Sequence, residues 1–154
     1  MRWLAFLLAF ATGAAAAETI SGNVITVIDG DTITVSDDAK KHYRVRLAGV
    51  DAPEVKQAFG LESARSLAAL CYRKAAKVEW TEKKRGMHLG QVTCEDKDAG
   101  AEQVRRGMAW VSPRQMTAGS ALPELEAYAR LRKVGLWADE KPVPPWEWRK
   151  QSRD

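Results

Sequence analysis

Two short stretches constrain this chain more than anything else in it: Val27-Ile28-Asp29-Gly30-Asp31-Thr32, and then Tyr43-Arg44-Val45-Arg46-Leu47-Ala48-Gly49-Val50-Asp51-Ala52-Pro53-Glu54. In the second, Tyr43, Val45 and Leu47 alternate with Arg44 and Arg46, the period-2 pattern of a half-buried strand with both guanidiniums on its outer face. Directly after that strand, Asp51 and Glu54 flank Pro53, which fixes its own φ and biases Ala52 towards an extended backbone, so the carboxylates sit on a stiffened turn. Asp31 comes from the preceding hairpin. A strand-borne arginine and three acids are thus placed within reach of one another.

Asp31 and Asp51 are hard oxygen donors suited to Ca²⁺, with a backbone carbonyl able to add to the protein's share. Arg46 can grip a phosphate through a two-nitrogen fork that lysine cannot reproduce. The same residues also admit a plainer reading, in which Asp29, Gly30 and Asp31 form a turn and Asp51 and Glu54 are surface carboxylates paired with Arg44 and Arg46.

Together, Asp29-Gly30-Asp31-Thr32 and Arg46-Leu47-Ala48-Gly49-Val50-Asp51-Ala52-Pro53-Glu54 resemble the signature of the thermonuclease family, the staphylococcal-nuclease-like phosphodiesterases: a D-G-D-T hairpin coupled to an R-L-x-x-[IV]-D-x-P-E run. The similarity in layout runs from about Ile20 to Trp137. The resemblance implies Ca²⁺-dependent endonuclease action on DNA or RNA, with little base specificity and cleavage of the bond to the 5′-oxygen. It implies Arg46 and Glu54 as catalytic residues, Glu54 being the general base. Asp31, Asp51 and the carbonyl of Ala52 would be metal ligands, and Asp29 would steady the hairpin or hold a metal-bound water. One departure bears on turnover. The family places a second arginine in a pattern like D-[KR]-Y-G-R-x-L-G-x-V, and alignment on Leu89-Gly90-Gln91-Val92 puts Met87 there. A thioether cannot stabilise transition-state charge, and losing one such donor commonly costs about 10² to 10³ in rate. Arg85, of the same strand parity about 7 Å upstream, is a possible replacement if the backbone there is extended. His88, of opposite parity, is expected at the surface or a strand edge. Reduced catalysis and a nucleic-acid-binding module that has lost efficient turnover both remain open.

Along the chain, residues 1–17 have the layout of a secretory signal peptide: Arg2, an apolar run from Trp3 to Ala11, and Ala15-Ala16-Ala17 before a cleavage point near Glu18. That run is shorter than the roughly 20 residues a membrane span needs. The mature chain is therefore expected to be secreted or periplasmic, free of the membrane and monomeric. Without Arg2 it carries 23 basic and 20 acidic side chains, a net charge of +3 that fits a polyanionic partner without requiring one. Cys71 and Cys94, an even pair in an exported chain, are expected to form a disulfide, the alternative being two buried thiols.

Residues 18–137 read as one nuclease-like domain. Two strands lie between Thr19 and Ser36, a third spans Tyr43 to Leu47, and two more cover Lys77 to Thr81 and Met87 to Cys94, with residues 82–86 as the turn. Helices are expected at Leu61 to Arg73, at Ala99 to Gly107, and from Ser120 to Gly135. Strands first and helices after predict an α+β, mainly β fold, a five-stranded OB-like Greek-key barrel with three packed helices. Residues 138–154, with Pro142, Pro144, Pro145, Trp146 and Trp148, read as a Pro-rich coil whose tryptophans pack on the body or serve a ligand or protein partner.

Overall fold

The computed structural model describes residues 18–152; the expected leader, residues 1–17, lies outside them. Strands β1 (Glu18–Val27), β2 (Thr32–Ser36), β3 (His42–Leu47), β5 (Ala75–Lys84) and β6 (Met87–Cys94) build the barrel, and β4 (Val50–Asp51) leaves its rim. β1, β2 and β3 form an antiparallel meander, β1 also pairs with β5 and β5 with β6. A parallel pairing of β3 with β6, Arg46 opposite Leu89, closes the ring. Closure leaves no free strand edge in the barrel wall. The fold is thus the expected OB-like five-stranded barrel.

The alternation read from the sequence is what fills it. Val24, Ile33, Val35, Val45, Leu47, Val78 and Val92 point inward and are buried, while Arg44 and Arg46 stay on the outside of β3. Each such apolar side chain contributes about 1.5–3 kcal/mol through burial. α1 (Gly60–Cys71) packs Leu67, Leu70 and Cys71 into the same core. Cys71 is bonded to Cys94, which ties the end of α1 to the end of β6.

Beyond the barrel come β7 (Lys97–Asp98), α2 (Ala99–Arg105), β8 (Trp110–Val111), α3 (Leu122–Leu131), a 3₁₀ turn (Gly135–Ala138) and α4 (Pro145–Gln151). Among the described residues four α-helices stand where three were expected. The Pro-rich tail is not all coil, because Pro145 takes the first helical position, where its fixed φ helps and its missing N–H costs nothing. β8 pairs antiparallel with β4, Asp51 opposite Trp110. Trp110 also joins a second small core with Ala129, Leu136 and Trp137, against which Phe59 and Trp146 pack.

Two other expectations change. β5 runs on to Lys84, so the five-residue turn shrinks to Arg85 and Gly86, both at positive φ (51° and 78°), the backbone of a tight primed hairpin turn. His88 is not at the surface: it is buried, edge-on to Trp80 and Tyr43, with Nδ1 3.3 Å from the carbonyl of Arg44.

The Asp29-Gly30-Asp31 hairpin is fastened from below. Gly30 is there for space and not for φ, since a Cβ would lie 1.8 Å from Ser63 Oγ and 2.7 Å from the Ala52 Cβ. Fully buried Gln103 donates from Nε2 to the carbonyls of Gly30 (2.8 Å) and Ser63 (3.0 Å). Gln103→Leu leaves both carbonyls without that donor and should lower unfolding free energy by about 1–3 kcal/mol in urea titration. An unchanged midpoint would show the amide to be dispensable. For the Cys71–Cys94 link, replacing both residues by Ala should cost about 3 kcal/mol in the same measurement, the effect of freeing a loop of this length in the unfolded chain.

Candidate functional site

β3 presents Arg46 between two acids. Its Nη2 donates to Asp31 Oδ2 at 3.1 Å and to Asp51 Oδ1 at 2.8 Å. Asp31 is placed by the hairpin: its carbonyl accepts from the N–H of Leu47 (2.8 Å), and its own N–H donates to Asp29 Oδ1 (3.0 Å). Asp51 is placed by the short β4–β8 pair. Both carboxylates are nearly withdrawn from water, with side-chain exposures of 5% and 8%, whereas Arg46 keeps 29%. A surface ion pair would not look like this, and the plainer reading of turn formers and solvated carboxylates does not describe these two acids.

Both oxygens of Asp31 have partners. Asp31 Oδ1 accepts from the Thr32 hydroxyl (2.8 Å) and Oδ2 from the Ala52 N–H (2.9 Å). Ala52 thus enters the site through its backbone, pinning the proline turn to the hairpin. Burial pushes the Asp31 carboxyl up to about 7, against the pull of Arg46, and the neighbouring Asp29 adds to the rise. Arg46 Nε, also buried, has no hydrogen-bond partner. A buried guanidinium nitrogen without an acceptor costs free energy unless a ligand or water supplies one.

Glu54 is the most open of the acids, its side chain 43% exposed. It is joined to the others by a residue that sequence reasoning did not single out. Arg149, on α4, donates from Nη2 to Asp51 Oδ2 at 2.6 Å, from Nη1 to Asp51 Oδ1 at 3.1 Å, and from Nη1 to Glu54 Oε1 at 2.9 Å. The hydrogen bond to Asp51 first, then the one to Glu54, hold the Arg149 proton more firmly than usual, against the opposing effect of burial. Gln57 couples tail and turn: its Oε1 accepts from the Glu54 N–H (3.2 Å) and its Nε2 donates to the carbonyl of Val143 (2.6 Å). The sequence did hold a signal for Arg149. Trp146 and Arg149 are three apart, so a helix starting at Pro145 that packs the tryptophan on the body turns the arginine to the same side.

Arg85 sits in the left-handed turn of the β5–β6 hairpin, so the extended backbone that would have aimed it along Met87's side is absent. Met87 pairs with Arg44, and Leu89 with Arg46, which places both apolar side chains on the outer face that carries the arginines.

The donor set is compatible with a hard cation. Two carboxylates converge on one point, since both contact the same nitrogen of Arg46. Among the described residues no group of three His, Cys, Asp or Glu side chains could hold a metal. A Ca²⁺ ion here would therefore need backbone oxygen and water besides Asp31 and Asp51, which is ordinary for this cation and unlike zinc.

A cleft of about 360 Å³ opens beside Arg149, and Asp51, Arg114, Trp146 and Lys150 help to line it. A cavity of the same size elsewhere, beside Leu47 and Leu122, has Asp98 as its single charged lining residue and offers an anion nothing.

The family model for staphylococcal nuclease homologues matches residues 44–139. An uncharacterized endonuclease of Escherichia coli is 43% identical over 132 residues, which cover 84% of this chain and 85% of that protein. Protein ParB of Escherichia coli is 38% identical, with 88% and 82% covered, and a micrococcal nuclease of Shigella flexneri is 36% identical, with 86% and 82% covered. The match includes the strand of Arg46 and the turn of Asp51 and Glu54, and the hairpin acid packs against both. On this sequence, this fold and these relatives, the chain belongs to the staphylococcal nuclease family.

Proposed function

We propose that the protein is an exported, Ca²⁺-dependent endonuclease that hydrolyses phosphodiester bonds in DNA or RNA. The observation that carries this reading is the buried Arg46 Nε without a partner, in a side chain whose Nη2 is already clamped by two acids. A phosphate oxygen is the acceptor that such a preset fork lacks. The names of the E. coli and Shigella relatives, endonuclease and micrococcal nuclease, support the reaction class. The Cys71–Cys94 bond supports an oxidising compartment, periplasmic or extracellular. Among the described residues no helix is long and apolar enough to cross a membrane.

In this reading Asp31, Asp51 and the Ala52 carbonyl hold Ca²⁺. The chemistry the ion supplies when bound is electrostatic, positive charge set against phosphoryl oxygens that otherwise repel an incoming water. Arg46 binds the phosphate; its Nη2 fills the point where Asp31 and Asp51 converge, so a cation held by both acids takes that nitrogen's place and leaves the guanidinium beside the site to grip the phosphate. Glu54, open to solvent on the rigid turn after Pro53, orients the attacking water and takes its proton. Asp29 keeps the hairpin closed through the Asp31 amide.

A second reading, a phosphate-binding module with weak turnover, is favoured by the apolar Met87 on the arginine-bearing face. Mature protein incubated with denatured DNA separates the two: chelator-sensitive digestion supports the nuclease, and oligonucleotide binding without digestion supports the module. Glu54→Gln should lower kcat about 10² to 10⁴-fold while leaving Ca²⁺ binding nearly intact. Asp31→Asn should weaken Ca²⁺ binding, measured by calorimetry. Full activity in both variants would overturn the proposed roles.

A further inference from the structure

We propose that Arg149 supplies a second phosphate-binding guanidinium, delivered by the C-terminal helix to a site whose barrel strand offers only Met87. The inference rests on the nuclease reading above and names a further catalytic residue for it.

The charges of the site call for a second cation. Asp31, Asp51 and Glu54 face one strand-borne guanidinium, Arg46, and hydrolysis adds negative charge to a phosphodiester that already carries one. A fixed cation aimed at that developing charge is the kind of group whose removal costs most. Met87 and Leu89 occupy the outer face of β6 beside Arg44 and Arg46, and Arg85 is held in the hairpin turn. Arg149 is the guanidinium that touches both Asp51 and Glu54.

Its present contacts also define what must change. Arg149 uses both oxygens of Asp51, so a cation bound there displaces at least part of that bidentate pair. Glu54 is engaged by Arg149 at Oε1 alone, at 2.9 Å, so its other oxygen can take a proton. The displaced guanidinium cannot go far. Trp146 anchors its helix in the second core, and Gln57 ties the preceding Val143 to the turn of Glu54. Released from the acids, Arg149 remains on the rim of the cleft lined by Arg114 and Lys150, where a strand of nucleic acid would lay its phosphates. Arg149 thus exchanges a carboxylate for a phosphate as metal and substrate arrive.

The test compares the wild-type mature chain with Arg149→Ala and Arg149→Lys by three measurements: Ca²⁺ affinity alone, affinity for a nucleoside 3′,5′-bisphosphate in saturating Ca²⁺, and kcat on denatured DNA. For Arg149→Ala, Ca²⁺ should bind more tightly, because a competitor for Asp51 is gone. The bisphosphate should bind more weakly, and kcat should fall about 10² to 10³-fold. Arg149→Lys should recover only part of kcat, as a point charge without the fork. Opposite shifts in the two affinities are not what a loosened fold gives, which would weaken both, and that result would overturn the proposal. So would tighter Ca²⁺ binding with raised kcat, the mark of a plug, or no change at all. If wild-type protein shows no Ca²⁺-dependent digestion, the nuclease reading fails, and the two affinities still decide whether Arg149 binds phosphate.

Discussion

The structure depends on one guanidinium held between two buried carboxylates. Asp31 belongs to the hairpin between β1 and β2, Asp51 to the segment leaving β3, and Arg46 to β3 itself, which is paired on both sides by β2 and β6. Two acids brought so close and so dry would repel each other, and withdrawing each from water costs several kcal/mol. Arg46 offsets part of both costs, less than burial imposes on Asp31, from a backbone position that the barrel does not let move. The same arrangement fixes the directions in which the remaining lone pairs and the free Nε point, so in the proposed reading the stabilising device and the binding device are one object.

That economy explains the uncharged fastenings around it. Gln103, Ser63 and Gly30 form a buried polar seam under the hairpin, and Ser63 Oγ donates onward to the Met108 carbonyl at 2.6 Å. None of these groups can reach a substrate from inside the protein. Their work is to keep the hairpin at a fixed height over α1, so that Asp31 meets Arg46 without a rearrangement that ligand binding would have to drive. Asp51 is set in the same way by two residues of strand pairing with β8, on the opposite side of the site.

What the sequence made legible follows from how local each signal is. Alternation in β3 predicts the face of Arg46, and the D-G-D-T and D-x-P-E runs carry their own turn chemistry. The barrel, α1 and the cysteine bond were readable for the same reason. Trp110-Val111 could not be read as a strand because two residues hold no period. His88 looked like an edge residue because polarity stood in for position, yet an inward place in β6 between Tyr43 and Trp80 buries the ring. Arg149 lay in a segment whose three prolines suggested coil, while the helix that carries it owes its existence to packing of Trp146 on a core that forms only when β8, α3 and the 3₁₀ turn have come together. Contacts between residues 95 and 98 positions apart leave no pattern in a single sequence.

The difference between a cation on a strand and one on a tail helix is mechanical. A guanidinium on β6 would be as fixed as Arg46, because the barrel that holds the strand is closed by hydrogen bonds on both sides. α4 has seven residues and is held by Trp146 and, through Val143, by Gln57, so the arginine side chain can turn from its acids while its helix stays in place. On the proposed reading, an arginine so mounted neutralises Asp51 and Glu54 when nothing else does and leaves them when a divalent ion takes over that task. Two acids that would otherwise cost free energy are compensated without fixing them permanently, which is what the proposed role of Glu54 as a base requires.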